Sequence, residues 1–217
     1  MFVGHYGVSF AMKPAGPRLP LWVWFVAVQW LDVVWSILVL MGIEQLRIVP
    51  GFTEANAIDL YYMPFTHGLP GSIALSLIFG GLLAAVHEGP KGQLIFLGFA
   101  ASFSHWVLDL LVHVPDLPLY NNSAKVGLGL CRHVALSFPL ELIVLCGGAW
   151  LFARQAKFRG NFGKYLFAGF IVLLAALQAY ANFGPPPETP ESMAMTALFF
   201  FIGLAIISGW VEKRATV

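Results

Sequence analysis

Long runs of apolar residues dominate the chain and are separated by short polar segments. Six of these runs reach about the 20 residues that an α-helix needs to cross the hydrocarbon core of a bilayer. They cover residues 20–43, 69–87, 93–114, 128–153, 164–183 and 194–211. Because lipid offers the backbone no hydrogen-bond partners, runs of this length are expected to be helices. The pattern predicts an all-α fold, a polytopic membrane helical bundle of about six transmembrane helices.

A shorter apolar segment, residues 1–12, precedes the first of these runs. It is too short to cross the bilayer but long enough to reach part-way into it, and it ends in a turn rich in helix breakers at residues 13–18. The run that follows differs from a cleaved signal, because it is longer than an h-region, contains Asp32 and precedes no small-residue cleavage site. We therefore expect a short membrane-embedded N-terminal helix followed by a retained span.

Composition agrees with a membrane protein. Of the 217 residues, 59% are hydrophobic and 11% are charged, against roughly 25% charged residues in a soluble domain. The mean hydropathy is +0.78. The net charge of +1, without a basic run, argues against a nucleic-acid surface, which needs clustered Lys and Arg. We expect one integral membrane domain over residues 1–217, with the candidate site in roughly residues 1–116 and the remaining helices in roughly residues 128–211.

Basic residues divide unequally between the two ends of the predicted bundle. One end carries most of the 12 Lys and Arg residues, namely Lys13, Arg18, Lys91, Arg154, Lys157, Arg159, Lys164, Lys213 and Arg214. The other end carries Arg47, Lys125 and Arg132. Cytoplasmic loops of membrane proteins are enriched in Lys and Arg. The pattern therefore predicts that both termini are cytoplasmic and that loops 44–68 and 115–127 face outward.

One predicted helix carries a stripe of ionisable side chains. Such groups cost about 2.5–3.5 kcal/mol each inside a span and therefore normally face the bundle interior. His105, Asp109 and His113 recur at i, i+4 and i+8, so they share one helical face. His105 and His113 would lie about 12 Å apart along the axis, too far to bind one ion together. The stripe indicates either a binuclear metal site or a site in which one of the three only supports a ligand; the alternative without a metal is a proton or polar packing network.

Distances along the predicted helices place further polar residues at the level of this stripe. Asp32 and His105 each lie about 18 Å from the cytoplasmic ends of their helices, at 1.5 Å per residue. His5 reaches about the same level in the short N-terminal segment, and His67 opens the second span level with His113. We expect one outward-facing funnel of candidate metal ligands, formed by His5, Asp32, His67, His105, Asp109 and His113.

The remaining polar residues near the spans have less definite roles. Three of them are expected to hold ligands in place by hydrogen bonds: Ser104, Asp59 and Asp116. The two aspartates also fit solvated loop positions. His87 and His133 fit structural or interfacial roles, while Glu141 fits a buried pairing with another helix and a role in the site equally well.

Imidazole nitrogens and carboxylate oxygens are ligands for Zn²⁺, Fe²⁺ or Mn²⁺, and no thiolate motif here favours a softer metal. Zinc is the default expectation. In a catalytic site the metal lowers the pKa of a water toward about 7, while a nearby carboxylate acts as general base. We assign this base role to Asp109 or Asp32.

Four short motifs follow one another in the first half of the chain: Gly4-His5-Tyr6, Leu31-Asp32, Phe65-Thr66-His67-Gly68, and Ser104-His105 followed by Asp109. In this order they resemble the predicted membrane-bound metal-dependent hydrolases of bacteria, some of which are described as LexA-binding, inner-membrane-associated hydrolases. The resemblance covers roughly residues 1–116. It implies a metal held by some of these histidines and aspartates, and a location in the bacterial inner membrane. The family often has a further Asp and His directly after its first Asp, whereas Val33-Val34-Trp35 follow Asp32 here, so His113 is a candidate replacement ligand.

Three classes of function fit these observations. The leading hypothesis is a metal-dependent membrane hydrolase acting on a lipid-linked ester, amide or phosphoester that reaches the site laterally. The first alternative is a transporter or channel whose His/Asp chain relays protons or metal ions. The sequence shows no paired interrupted helices in corresponding halves, which argues against a transporter. The second alternative is a non-catalytic, metal-binding membrane subunit.

Overall fold

The computed structural model describes residues 1–16 and 19–216; Pro17 and Arg18, the latter used above to predict orientation, lie outside the described residues. The α-helices are α1 (Val3–Met12), α2 (Leu21–Val28), α3 (Trp30–Leu40), α4 (Leu69–Val86), α5 (Lys91–Val112), α6 (Val134–Gln155), α7 (Gly160–Phe183) and α8 (Pro190–Glu212). The strands are β1 (Gln45–Ile48), β2 (Ile58–Tyr62), β3 (Leu117–Tyr120), β4 (Ser123–Val126), β5 (Lys157–Phe158) and β6 (Ala215–Thr216).

Five helices, α4 to α8, are long and apolar enough to cross a membrane, and the bent pair of α2 and α3 is equivalent to a sixth span. Their outer surfaces expose large apolar side chains such as Leu77, Phe96, Ile143, Val172 and Phe199. Water disfavours so much exposed apolar surface, whereas lipid solvates it. The helices confirm the predicted all-α membrane bundle and are consistent with an integral membrane protein.

The first span, predicted as one helix over residues 20–43, is broken in the middle. α2 and α3 meet at Gln29 with an angle of 55°. The backbone of Gln29 leaves the helical region, with φ −104° and ψ 7°, and its side-chain amide donates to the carbonyl of Phe2 at 3.3 Å. The carbonyl of Val28 lies 2.7 Å from Nδ1 of His105. A side chain that takes over a backbone carbonyl in this way is a recognised cause of helix bending.

The short N-terminal helix α1 lies at the centre of the bundle. Tyr6 and Phe10 are fully buried, and the helix packs mainly against α6, with further contacts to α2 and α5. Two glycines permit the close approach to α6. A Cβ on Gly7 would overlap the carbonyl of Val144, and a Cβ on Gly148 would overlap the backbone of Gly7. Protein therefore surrounds the segment that the sequence predicts to reach part-way into the bilayer.

Side chains from two spans accept hydrogen bonds from the backbone N–H groups at the start of α1. Glu141 on α6 accepts from the N–H of Phe2 at 3.0 Å and from the N–H of Gly4 at 2.8 Å. Gln178 on α7 accepts from the N–H of Val3 at 3.2 Å. The first N–H groups of a helix have no partner within the helix itself. The structure thus pairs Glu141 with another helix, and this pairing fixes the position of α1.

Two β-hairpins cover one end of the bundle, where the sequence predicts only loops. β1 pairs with β2 and β3 pairs with β4, both antiparallel. Lys125 on β4 donates to the carbonyl of Tyr61 on β2 at 2.6 Å, so the hairpins contact each other. At the other end β5 pairs with β6, and Lys13 forms an ion pair with Glu212 at 2.8 Å. The segments that carry Lys13 and Lys213 therefore meet at the end away from the hairpins.

Candidate metal centre

Asp109 on α5 is the centre of a buried cluster of histidines. Its carboxylate is almost fully buried. Oδ2 of Asp109 lies 3.1 Å from Nε2 of His105, 3.6 Å from Nε2 of His67 and 3.6 Å from Nε2 of His113. Three imidazoles, one on α5, one in the loop before α4 and one just after α5, thus direct the same ring nitrogen toward one carboxylate oxygen.

Asp32 supplies a second carboxylate to the same histidines. It lies in the first turn of α3, where the positive end of the helix dipole favours a negative group. Its Oδ1 lies 3.3 Å from Nε2 of His67 and 3.4 Å from Nε2 of His105. Each of the three residues offers one ligand atom, and these atoms all lie within 4.8 Å of one another. Ligands about 2.1 Å from a tetrahedral ion are roughly 3.4 Å apart, so Asp32, His67 and His105 fit around one ion.

Two of the histidines are held by an acceptor at their other ring nitrogen. Nδ1 of His105 lies 2.7 Å from the carbonyl oxygen of Val28. Nδ1 of His113 lies 3.0 Å from a carboxylate oxygen of Asp116. A carbonyl or carboxylate can only accept, so in both rings Nδ1 carries the proton. In the neutral ring Nε2 then carries the lone pair and faces the cluster, as in histidines that bind metals.

The third histidine is held through a hydroxyl group. Nδ1 of His67 lies 2.8 Å from Oγ1 of Thr66, and the Thr66 hydroxyl donates to the buried carboxylate of Glu44. Since the hydroxyl has one proton and gives it to Glu44, its oxygen accepts the proton of Nδ1. His67 therefore has the same tautomer, with Nε2 free to bind a metal. The sequence analysis missed Glu44 and Thr66 in this role; Thr66 beside His67 is the signal that could have found them.

His5 faces the other carboxylate oxygen of Asp109. The ring of His5 is fully buried, and neither of its nitrogens has a hydrogen-bond partner among the described residues. It stacks on the ring of His105, with centroids 3.8 Å apart and planes within 8° of each other. Nε2 of His5 lies 3.2 Å from Oδ1 of Asp109, and the α-amino nitrogen of Met1 lies 2.6 Å from the same oxygen. An unpartnered buried nitrogen is costly, and a cation on this side would satisfy it.

His113 lies just beyond the end of α5, at the outer rim of the cluster. Burial by itself lowers its pKa, but the carboxylates of Asp116 and Asp109 outweigh burial and raise the pKa of His113 above its ordinary value. The rim therefore favours positive charge, which a bound metal ion would also provide.

The structure brings together all six residues of the expected funnel: His5, Asp32, His67, His105, Asp109 and His113. The estimated separation of 12 Å between His105 and His113 along one helix does not keep them apart. α5 ends at Val112, and the extended backbone of His113 (φ −62°, ψ 146°) accompanies a side chain that returns to Asp109. Their roles as metal ligands remain a prediction.

Of the expected supporting residues, Asp116 contacts a histidine and the other two have different partners. Asp59 pairs with Arg47 at 2.6 Å, because β2 places it beside β1. The hydroxyl of Ser104 donates to the carbonyl of Ala101 at 2.7 Å, a bond that helical serines commonly make to their own helix. His133 lies at the surface, with Nδ1 3.7 Å from Glu54.

A cavity of about 550 Å³ joins the cluster to the outer surface of the bundle. Asp32, His67 and Asp109 line its inner end, while the β1–β2 loop and residues 184–187 line its outer end. Tyr180 on α7 and Thr196 on α8 also line the cavity and are exposed. Exposed residues of both α7 and α8 therefore line the cavity. Among the described residues, no Lys or Arg lines it.

Comparisons with protein-family models, with curated proteins and with solved structures give no match to this chain. The fold and the site define a class in physical terms: a polytopic membrane protein with a buried His/Asp cluster that can hold a metal ion.

Proposed function

We propose that the protein is a metal-dependent membrane hydrolase that acts on a lipid or lipid-linked substrate. One observation carries the proposal. His67, His105 and His113 each have Nδ1 held by an acceptor, so all three direct Nε2, the nitrogen that carries the lone pair of the neutral ring, at Asp109. Histidines that bind metals are held in this way, with one ring nitrogen on an acceptor and the other directed at the ion.

Asp32, His67 and His105 are the residues best placed to hold a metal ion, and zinc suits this nitrogen and oxygen donor set. When bound, such an ion supplies a Lewis acid and lowers the pKa of a water. His113 completes the donor set from the rim and replaces the ligand that the resemblance to bacterial membrane hydrolases leaves missing after Asp32. The bacterial inner membrane as the location is part of the same proposal.

Asp109 and Asp32 are the groups that would accept a proton from a nucleophilic water. Both line the cavity, so both can reach a molecule within it. Asp109 is in contact with four histidines, so a water held within the cluster would lie within its reach. General base catalysis by a positioned carboxylate contributes typically about 10²–10⁴-fold to a rate.

The exposed cavity-lining residues on two spans, Tyr180 on α7 and Thr196 on α8, support a substrate that arrives from the bilayer. Met193, Ala197 and Phe201 on α8 and Leu177 on α7 form apolar walls along the cavity, which suit an acyl or prenyl chain. Gln178 lies at the inner end of the wall and supplies a polar side chain near the cluster. A lipid whose chain lies between α7 and α8 would place its polar linkage beside Asp32 and Asp109.

A transporter is the second candidate, and the break between α2 and α3 favours it, because discontinuous helices form ion sites in many transporters. The packing on the other side of the site argues against it. Phe25, Leu97 and Ala101 are buried in one apolar core cluster toward the β5–β6 end. An aqueous path from His105 to that end would have to pass through this core.

The test is metal analysis of the purified protein, combined with a lipid-product screen before and after chelation. We expect stoichiometric metal in the wild type, lost in His67→Ala and in His105→Ala. His87→Ala is the matched control, because His87 lies at the end of α4 outside the cluster. Metal content unchanged in both site variants, with the fold retained, would contradict the metal site. A product that forms equally well after chelation would contradict metal dependence.

A further inference from the structure

We propose that the centre is binuclear: a second divalent ion binds between Nε2 of His5 and Oδ1 of Asp109, and the Asp109 carboxylate bridges it to the ion held by Asp32, His67 and His105. This inference rests on the proposed metal-dependent function and adds a second ion with its own ligand. With both oxygens of Asp109 on metal ions, Asp32 is the carboxylate left to accept a proton from water.

The stacking of two histidines is the first argument. The lone pair of an imidazole nitrogen lies in the plane of its ring. The rings of His5 and His105 are parallel within 8°, with centroids 3.8 Å apart, so the lone pairs of their Nε2 atoms lie in separate, nearly parallel planes and cannot converge on one point. One ion cannot lie in both planes. Two ions can, at a spacing close to the 3.5–4 Å that is typical of two-metal sites.

The two oxygens of Asp109 provide the second argument. Oδ2 faces the Nε2 atoms of His67, His105 and His113. Oδ1 faces Nε2 of His5 at 3.2 Å. A carboxylate whose oxygens face separate groups of nitrogen donors has the arrangement of a bridging ligand, with one oxygen for each ion.

The number of available nitrogens is the third argument. Among the described residues, two sets have ligand atoms within 4.8 Å of one another: His5, His105 and Asp109, and Asp32, His67 and His105. His105 belongs to both sets, but its Nδ1 is already bound to the carbonyl of Val28. Its single free nitrogen serves one ion. His5, which has no hydrogen-bond partner at either nitrogen in the described part of the chain, is then the histidine left for the other ion.

The surroundings of Oδ1 already accommodate a positive group. The α-amino nitrogen of Met1 lies 2.6 Å from this oxygen, and both Met1 and Asp109 line the cavity. An ion at Oδ1 would therefore be within reach of water or substrate from the cavity. The rival explanation is that the Met1 amine alone satisfies Oδ1 and that the centre holds one ion.

The experiment is to strip metal from the purified protein, reload it with Mn²⁺ and measure both the bound Mn²⁺ and its electron paramagnetic resonance spectrum. We expect about two ions per chain and the spectrum of a spin-coupled pair in the wild type. His5→Phe keeps an aromatic ring stacked on His105 but removes both nitrogens, and it should bind about one ion with an uncoupled spectrum. His5→Ala is the second variant, in case Phe does not fit, and His87→Phe is the matched control.

The outcomes separate the two proposals. One ion in the wild type, unchanged in His5→Phe and His5→Ala, would overturn the binuclear centre in favour of the Met1 amine, while leaving metal-dependent hydrolysis intact. Two ions retained in both His5 variants would overturn the role of His5. Absence of bound metal in the wild type would overturn the metal-dependent function together with this inference.

Discussion

Nδ1 of His105 lies 2.7 Å from the main-chain carbonyl oxygen of Val28, at the point where α2 ends. In a continuous helix that carbonyl would accept the N–H of Asp32, four residues further on. The bend at Gln29 gives the carbonyl to His105 instead, and Asp32 falls in the first turn of the next helix. One local change of the backbone therefore sets the tautomer of one candidate ligand and the position of another.

The hydroxyl of Thr66 is predicted to tune metal binding without contacting the metal. Thr66→Val keeps the shape of the side chain but removes the group that joins Nδ1 of His67 to Glu44. The ring of His67 then loses its anchor and its fixed tautomer. Loss of such a partner typically lowers metal affinity by about 10–100-fold. Competition with a chromophoric chelator measures the affinity.

Thr66→Ser is the matched control for this prediction, because it restores the hydroxyl. Its affinity should lie near that of the wild type. Equal affinities for Thr66→Val and the wild type would show that His67 needs no partner at Nδ1.

The sequence predicts which candidate ligands lie together better than it predicts the residues that hold them in place. The spacing of His105 and Asp109 is visible because helical periodicity is local, and the depth of Asp32 follows from the constant rise of a helix. Glu44 and Thr66 lie 22 positions apart, and a loop with a β-hairpin separates them. No periodicity relates residues across such a loop, so their contact could not be predicted.

In the fold, too, features set by local sequence are predictable and features set by distant contacts are not. Apolar runs predict the positions of α4 to α8 because length and hydropathy are set by the bilayer. The break at Gln29 depends on the partner that His105 offers to Val28, and that partner is distant in sequence. The central position of α1 depends on Gly7 and Gly148, whose meaning appears only once the two helices are in contact.

Glu141 is predicted to hold α1, and with it His5, in place. Glu141→Ala leaves the N–H groups of Phe2 and Gly4 buried without an acceptor, at about 1–3 kcal/mol for each. For a protein of this size, each kcal/mol lowers the Tm by roughly 2–4 °C, so we expect a fall of at least about 4 °C in detergent. Glu141→Gln keeps an acceptor oxygen, so its Tm should fall less. Glu188→Ala, at an exposed position, is the control, and a Tm of Glu141→Ala equal to that control would contradict the prediction.

The orientation of the bundle is predicted from its basic residues, with the hairpin end outside. In a background with Cys131→Ala and Cys146→Ala, Ser123→Cys reports the β3–β4 hairpin and Asn161→Cys reports the start of α7. Asn161 is preferred to Gly160, whose φ of +68° disfavours any side chain. We expect a membrane-impermeant maleimide to label position 123 in intact cells and position 161 only after lysis. The reverse pattern would overturn the orientation.

Asp109→Asn is predicted to abolish turnover of a lipid substrate while the protein still folds. Asn preserves the volume of Asp109 and some of its hydrogen bonding but removes the negative charge, so a metal ligand is weakened or, where Asp109 is the proton acceptor, a general base is lost; we expect a rate loss of at least about 100-fold. Folding should survive because the amide oxygen can still accept from the α-amino group of Met1 and because an uncharged side chain is cheaper to bury in a membrane than a carboxylate. Asp59→Asn, at the residue that pairs with Arg47 on the hairpin, is the matched control and should keep its activity.

Because a proton relay would also fail in Asp109→Asn, the wild type must be compared in two settings. A hydrolase releases product in detergent, where no gradient exists, whereas a transporter works only across a sealed bilayer. If the wild type moves protons or metal ions into liposomes and cleaves nothing in a broad lipid screen, the hydrolase proposal fails.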